Sequence, residues 1–351
     1  MRRIIAAGVG VATVAAALAT GKALRSRSAA IQQVDPELRS PALWFRIAVT
    51  GLRSLALARR LYAASLPTDS AVTPELRRIP GQHPGQWIEL LLVAPPDQPV
   101  RAGCVLWLHG GGFVMGSPES DVAAAGKLAA DLGVLVALPR YRLAPEHPFP
   151  AGLDDCYAAL EWLHASADEL GFPPDRIALW GKSAGGGLAA ALAQRARDVG
   201  GPPIAAQILE YPMLDDRTAT SDDHHGRGRF VWTAGSNRYS WQCYLDAAPG
   251  SEPTPAWAVP ARCDDLTDLP PTWIGVGELD LFYPEDVAYA EGLRAAGVPV
   301  ELLTVPGMYH AADKVVPAES APIVRFQRSA ESTLGRSLGL AARTAKPTAT
   351  A

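Results

Sequence analysis

"LWGKSAGGGLAAALA", residues 179–193, sets a serine among glycines and continues into an alanine-rich stretch. Glycine is costly in regular structure, so several glycines around one hydroxyl indicate a tight bend of the backbone. Residues 176–180 before the bend have the composition of a buried strand, and the small residues after it favour a helix. This stretch therefore predicts a strand, a sharp turn at Ser183 and a helix.

Gly181 to Gly185 form the pattern G-x-S-x-G, which in a strand–turn–helix setting is typical of a nucleophilic serine. Such a turn lifts the Ser183 hydroxyl above the sheet at the amino terminus of a helix, where developing negative charge is favoured. The alternative is a glycine-rich turn with a purely structural role. Because a serine hydroxyl is a weak nucleophile without a base, the chemical interpretation requires a base elsewhere in the chain.

From residue 87 onward, strand-like and helix-like segments alternate along the chain. The strand-like segments are "WIELLLVAP", "CVLWLHGGG", "GVLVALPRYR", "DRIALWG", "PIAAQILEYP", "PTWIGVGELD" and "VPVELLTVPG". This alternation predicts an α/β fold with a mostly parallel sheet flanked by helices, and such sheets bind ligands at the carboxyl ends of their strands. Residues 212–265 break the alternation and are rich in aromatic residues, which suggests a cap over the substrate.

The composition excludes several classes of function. Hydrophobic residues make up 48% of the 351 residues, as expected for a soluble globular protein with a large core. With a net charge of −4 and no long basic block in the body of the chain, nucleic acid is not an expected partner. The cysteines have no metal-binding spacing, so we expect no metal site. Cys104 and Cys156 lie in strand-like and helix-like runs, and free, buried thiols are the simplest interpretation.

The amino terminus has features of a targeting segment. Two arginines precede an apolar stretch over residues 4–19, and three basic residues follow it, as in a secretory signal. The stretch is shorter than the roughly 20 residues that span a bilayer. Export or membrane association is therefore as well supported as a plain amino-terminal helix or a misassigned start, which leaves a cytoplasmic location open. Residues 41–64 contain no acidic residue and suggest a helix that lies either on a membrane or on its own protein with arginines facing water.

A second glycine-rich loop, "LHGGGFVMG" at residues 108–116, follows a strand. Acyl transfer builds negative charge on a carbonyl oxygen, and backbone N–H groups that point at this oxygen stabilise it. We expect the N–H groups of Gly111, Gly112 and Ala184 to be these donors. A phosphate-binding loop would need a Lys-Ser/Thr pair or G-x-G-x-x-G, and neither is present here. His109 is expected to anchor the loop.

The base and the acid are predicted from chain order, since the acid and then the histidine follow a serine in this setting. Three of the seven histidines come after Ser183. His224 and His225 lie in a polar stretch that resembles solvated loop, whereas His310 follows the last strand in "VPGMYHAAD" and is the predicted base.

The predicted acid is Asp280, just beyond the strand in "TWIGVGELDLFYPED", with Glu278 and Asp286 as alternatives. The acid holds the imidazole in the required tautomer and stabilises the imidazolium ion that forms.

Several blocks of this sequence resemble the hormone-sensitive-lipase-like branch of the α/β-hydrolases. They are "HGGGF", "PRYRLAPEHPFPAGLDDCYAALEWL", "GKSAGGGLAA", "LEYPMLDDR", "GELD" and "GMYH", and they span roughly residues 87–312. The resemblance implies hydrolysis of small-molecule carboxylic esters with small to medium acyl groups, no cofactor, and a cap built from amino-terminal helices plus an insertion. Carried over by residue, it assigns Ser183, Asp280 and His310 as the triad and Gly111 and Gly112 as the oxyanion loop.

The sequence pattern and the resemblance together divide the chain into parts. These are an apolar segment (1–30), cap helices (31–80), a catalytic domain (81–338) with a cap insertion at about 212–265, and a disordered tail (339–351). Three positions depart from the family pattern: Lys182 replaces an acidic residue, Ala311-Ala312 replaces Gly-Phe, and Leu281 replaces a frequent proline. We expect Lys182 to change the local charge and the pH profile.

Two further alternatives concern the bond that is cleaved and the presence of catalysis. The same triad would serve an amidase or deacetylase, and a non-catalytic ligand receptor would share the scaffold but tends to lose the histidine. "YRLAPEHPFPA", residues 141–151, is either a proline-rich turn packed beside the oxyanion loop or a direct substrate contact. The oligomeric state is left open.

Overall fold

The structure is a computed structural model that describes residues 24–45, 48–66, 72–96 and 100–340. The apolar stretch over residues 4–19 and most of the proposed tail lie outside these ranges. No helix in the described ranges is long and apolar enough to cross a membrane.

Eight strands form one sheet in the order β1-β2-β4-β3-β5-β6-β7-β8. Their bounds are β1 Glu75–Pro80, β2 Trp87–Val93, β3 Cys104–Leu108, β4 Leu135–Pro139, β5 Ile177–Lys182, β6 Ala206–Glu210, β7 Thr272–Gly277 and β8 Val300–Val305. Strand β2 runs antiparallel to both of its neighbours, and the remaining pairs are parallel. The predicted mostly parallel sheet is confirmed.

Helices cover both faces of this sheet. Their bounds are α1 24–33, α2 Leu52–Ser65, α3 Val122–Leu132, α4 Ala151–Ala165, α5 Ala184–Asp198, α6 Ala234–Leu245, α7 Tyr283–Ala295 and α8 Ala321–Ser337. Helices α4, α5 and α7 share one apolar core with the sheet, and α3 and α8 share the other. Alternate residues of each buried strand enter the two cores; Leu106 lies in the first and Trp107 in the second. Both faces are thus closed, which leaves the strand ends for a site.

Strand β1 was not predicted, and residues 75–80 therefore belong to the sheet and not to the predicted amino-terminal cap helices. The segment "ELRRIP" pairs antiparallel with β2 at the edge of the sheet, with Glu75 opposite Leu92. Edge strands are commonly polar and tolerate proline, so this strand carries no apolar run that would reveal it in the sequence.

The interpretation of residues 41–64 as one helix is wrong. A short 3-10 helix, Pro41–Trp44, is separated from α2, which begins after Gly51. Leu55 and Ala58 of α2 are buried in a small cluster with Val114, so this helix packs on its own protein.

The expectation that its arginines face water is wrong for one of them. Arg59 donates hydrogen bonds to the carbonyl oxygens of Val114 and Ala144 and forms an ion pair with Glu146. These contacts tie α2 to the loops after β3 and β4.

The four cysteines are free thiols, as predicted. Cys104 and Cys156 are buried, whereas Cys243 and Cys263 are partly exposed, so the expected burial applies to the two in the sheet and in α4. The 212–265 insertion contains α6, and the backbone N–H of Val49 donates to Ser236 Oγ at its start, 3.0 Å away. The amino-terminal region and the insertion are thereby joined.

Candidate active site

The turn between β5 and α5 holds Ser183 in a conformation that only a few residues adopt, with φ 54° and ψ −121°. Hydrogen bonds fix it: Ser183 N–H donates to the carbonyl oxygen of Glu210, and Met213 N–H donates to that of Ser183. A Cβ on Gly181 would lie 2.2 Å from the carbonyl oxygen of Gly185, so no side chain fits beside the serine. The glycines of the G-x-S-x-G pattern thus allow the close approach of strand and helix.

The structure brings Ser183, Asp280 and His310 together from the ends of β5, β7 and β8. His310 Nε2 lies 3.0 Å from Ser183 Oγ, and His310 Nδ1 lies 2.8 Å from Asp280 Oδ2. A carboxylate only accepts hydrogen bonds, so Nδ1–H donates to Asp280 and leaves Nε2 free to accept from the serine hydroxyl. This is the arrangement that removes a proton from a serine nucleophile.

The three side chains are shielded from water: Ser183 is 6% exposed, His310 3% and Asp280 1%. The rings of Tyr211 and Phe282 meet the His310 ring edge-on, at centroid distances of 4.9 and 5.1 Å. The other oxygen of Asp280 accepts a hydrogen bond from Phe282 N–H at 3.0 Å. Both partners of the imidazole are therefore held in place by the loops that carry them.

The alternative residues lie elsewhere. His225 is exposed and pairs with Asp223 in the polar stretch of the insertion. Asp286 is buried on α7, its carboxylate has no hydrogen-bond partner among the described residues, and burial raises its pKa well above the ordinary value. Within the described ranges, neither these two residues nor Glu278 forms a hydrogen bond with Ser183 or His310.

The loop after β3 supplies backbone donors beside the serine. Gly111 and Gly112 have φ values of 129° and 62°, and Ala184 is the first residue of α5. Within the described part of the chain, the N–H groups of these three residues make no backbone hydrogen bond. They are thus free to bind an oxyanion at the amino terminus of a helix.

Trp232 of the insertion covers this loop. A Cβ on Gly112 would lie 2.2 Å from Cη2 of the Trp232 ring and 2.9 Å from Ser240 Oγ. The sequence indicated an aromatic cap but could not show that Trp232 lies against the loop glycine.

His109 lies under the loop. Its ring stacks on Tyr141 with a centroid distance of 4.2 Å, and the Tyr141 hydroxyl donates to the His109 carbonyl oxygen at 2.7 Å. Burial lowers the pKa of His109, so the ring is neutral near pH 7. Residues 141–151 also contact the loop through Ala144, whose N–H donates to the carbonyl oxygen of Phe113 at 3.0 Å. This segment packs beside the oxyanion loop.

No group of three or more His, Cys, Asp or Glu side chains in the described ranges could hold a metal ion.

Comparison with known proteins gives consistent results. A family model described as alpha/beta hydrolase fold matches residues 105–313. The chain is 36% identical over 284 residues to carboxylesterase NlhH of Mycobacterium tuberculosis, covering 79% of this chain and 88% of that protein, and 39% identical over 216 residues to esterase LipI of the same species, covering 61% and 67%. A solved structure, a bacterial heroin esterase, superimposes with a TM-score of 0.80 at 36% identity, over 88% of this chain and 99% of that one.

Proposed function

This chain belongs to the alpha/beta hydrolase fold family, in its hormone-sensitive-lipase-like branch, and on that premise we propose that it hydrolyses carboxylic esters through Ser183. The observation that carries the proposal is the unbroken hydrogen-bond chain from Asp280 through His310 to Ser183, with contacts of 2.8 and 3.0 Å. The named relatives are esterases, which supports the ester as the bond that is cleaved.

The proposed reaction has two halves. Ser183 Oγ attacks the ester carbonyl while His310 Nε2 takes the hydroxyl proton, and the N–H groups of Gly111, Gly112 and Ala184 bind the oxyanion. Collapse of the tetrahedral intermediate breaks the bond to the alkoxy group, which leaves as the alcohol with the proton from His310. Water then attacks the acyl-enzyme with His310 again as the base, and the carboxylic acid is released.

We propose that the cap restricts the substrate to small and medium acyl groups. Trp232 lies against Gly112, and the ring of Phe113 stacks on that of Tyr244 from α6 with a centroid distance of 4.0 Å. Aromatic rings from the insertion therefore border the donor loop. Residues 31–66 and 212–265 would form the cap together, supported by the hydrogen bond from Val49 N–H to Ser236 Oγ.

An acyl-length series tests this proposal. We expect the full chain to hydrolyse p-nitrophenyl acetate and butyrate faster than the palmitate ester, and we expect Ser183→Ala to abolish turnover of all three. Full activity in Ser183→Ala would contradict the mechanism, and a preference for palmitate would contradict the restricted pocket. Anilides of matched acyl length belong in the same assay, and faster anilide than ester cleavage would identify an amidase.

A non-catalytic receptor on this scaffold is disfavoured by His310, which lies within hydrogen-bonding distance of Ser183. A receptor has no need for a base at that position. If the wild-type chain bound acyl esters without turnover at any pH, the receptor interpretation would replace the enzymatic one.

We further propose that the amino-terminal region associates with an anionic membrane surface. Residues 1–68 contain ten Lys and Arg residues but two Asp and Glu residues, in a chain whose net charge is −4. Several large apolar side chains of this region are exposed: Trp44, Phe45, Leu52, Leu57 and Leu61. Leu57 and Leu61 lie one turn apart on α2, and apolar groups beside arginines favour binding to anionic lipid.

Co-sedimentation with vesicles tests this association. We expect the full chain to bind phosphatidylserine-containing vesicles and to lose binding in 1 M NaCl or on Leu57→Glu/Leu61→Glu substitution. Val199→Glu, at another exposed apolar residue far along the chain, is the matched control and should still bind. Equal binding to neutral vesicles, or no binding by the wild-type chain, would contradict the proposal.

A further inference from the structure

A buried ion cluster lies next to the triad and takes no part in the proposed reaction steps. Lys182 is the last residue of β5, and its Nζ lies 3.0 Å from Glu210 Oε2 and 2.9 Å from Asp313 Oδ2. The three side chains are at most 7% exposed. Buried charges are costly unless they are paired, so the opposite charges of this cluster have to stay in contact.

The cluster joins the two loops that carry the nucleophile and the base. Lys182 immediately precedes Ser183, and Asp313 follows His310 by three residues. The other oxygen of Asp313 accepts a hydrogen bond from the Tyr211 hydroxyl at 2.7 Å, and the Tyr211 ring meets the His310 ring edge-on. A single ionic contact therefore connects two loops that are 131 residues apart in the chain.

The charge states follow from the contacts. Burial works against ionisation, but the Lys182 ammonium, with Lys314 next in effect, lowers the pKa of Asp313 to about 2. Burial also opposes the charge on Lys182, and the carboxylates of Asp313 and Glu210 hold its pKa above the ordinary value. For Glu210, burial dominates and raises the pKa. Lys182 and Asp313 are accordingly both charged at neutral pH.

We propose that the Lys182–Asp313 ion pair is a positioning device that holds His310 Nε2 within hydrogen-bonding distance of Ser183 Oγ and balances the charge beside the imidazole. This inference rests on the proposed esterase function. Glu210 is also held by other residues, because it accepts hydrogen bonds from Trp180 Nε1 at 2.7 Å and from Gln327.

Other charged groups surround this ion pair, and Glu210, the second carboxylate in contact with Lys182, is one of them. Asp280 faces His310 from the β7 loop, on the side away from Ser183. Asp121 pairs with Lys314 and so is itself compensated. Lys182 and Asp313 are then the opposite charges whose separate removal changes the balance at the imidazole in opposite directions.

These opposite directions distinguish an ion pair that positions and balances His310 from one that only stabilises the fold. Lys182→Met removes a positive charge, which favours the imidazolium ion and moves the acid limb of the kcat/KM profile to higher pH. Asp313→Asn removes a negative charge and moves that limb to lower pH. A charge close to a titrating group shifts its pKa by about 1 to 3 units, and we expect shifts of the acid limb at the lower end of that range, about 1 pH unit.

The experiment measures pH–rate profiles and melting temperatures of the full chain with a short-chain p-nitrophenyl ester. Both single variants should lower kcat at least about tenfold with KM within about twofold, because only the reacting geometry changes. The double variant Lys182→Met/Asp313→Asn should return the acid limb close to its wild-type position. Lys182→Arg, which keeps the charge, should show the wild-type profile.

Asp216→Asn is the matched control. Asp216 is buried and pairs with Arg262 at 3.2 Å within the insertion, so its loss should lower the melting temperature without moving the acid limb. Acid limbs of both single variants that coincide with the wild-type limb, or that move the same way, would overturn the inference.

If Lys182→Met does not fold, the pH–rate profiles of Asp313→Asn and Lys182→Arg alone decide whether the ion pair acts on His310. If the wild-type chain has no esterase activity, it is the proposed function that has failed. The positioning role then falls with it, and effects of the two single variants on the melting temperature that are coupled would show a purely structural ion pair.

Discussion

Asp280 Oδ2 lies 2.8 Å from His310 Nδ1, and both side chains are almost wholly buried. The carboxylate can therefore serve the imidazole alone, without competition from water. Its second oxygen is engaged by Phe282 N–H, so the acid has no freedom to turn away from the ring. The orientation of the histidine depends on this contact.

Replacing Asp280 by asparagine is expected to lower kcat by about three to four orders of magnitude, because an amide allows the wrong imidazole tautomer. Steady-state kinetics on a short-chain ester measures the loss. Glu278→Gln is the control two residues away and should retain wild-type kcat. A loss of less than tenfold in Asp280→Asn would show that another group is the acid.

Gly112→Ala is expected to lower kcat by about 10²-fold. The residue has φ 62°, and an added Cβ would lie 2.2 Å from the Trp232 ring, so the loop must move and take its donors away from the oxyanion. Gly85→Ala is the control, since φ there is 79° but no atom lies within 4 Å of the added Cβ. Kinetics and melting curves of both variants test this prediction. An equal loss of activity in Gly112→Ala and Gly85→Ala would contradict it.

Ala311→Gly is expected to stabilise the protein by about 0.5 to 1 kcal/mol. Ala311 has the left-handed conformation, with φ 52° and ψ 38°, which costs an alanine more than a glycine. Urea unfolding measures the free energy. Ala312→Gly, at the neighbouring buried residue without positive φ, should instead destabilise; equal effects of the two substitutions would exclude backbone strain as the cause.

Part of the acid sensitivity of the fold is expected to come from His109. Burial lowers its pKa in the folded protein, so the unfolded chain binds this proton first as the pH falls below about 6.5. The free energy of unfolding then decreases with falling pH, by at most about 1.4 kcal/mol per pH unit for one proton.

His109→Gln should lack this part of the slope, although its stability at pH 7.5 is lower because the contact with Tyr141 changes. Urea unfolding at pH 7.5 and pH 5 gives the slope. Parallel slopes for the wild-type chain and His109→Gln would contradict the assignment.

Much of the fold could be predicted because β5 and β7, the strands that precede Ser183 and Asp280, are buried along their whole length. Strands such as β5 appear as continuous apolar runs, and the glycines around Ser183 mark the turn. Chain order then identified His310 and Asp280 as candidates, because each lies a few residues beyond a strand-like run. These signals are local or depend on order alone.

The remaining features depend on contacts between distant parts of the chain. Edge strand β1 is polar and was missed, and the break before α2 has no strong local signal. The sequence marked Lys182 as unusual, but nothing in it indicated that Asp313 would neutralise it. Trp232 likewise gains its role only from its position against Gly112.

The most direct test of the central claim is covalent labelling of the full chain with a fluorophosphonate, followed by peptide mass spectrometry. One adduct per chain, on the peptide that contains Ser183, with none in Ser183→Ala and very slow labelling in His310→Ala, is the expected result. An adduct on any other residue, or undiminished ester turnover after Ser183 has been blocked, would contradict the account.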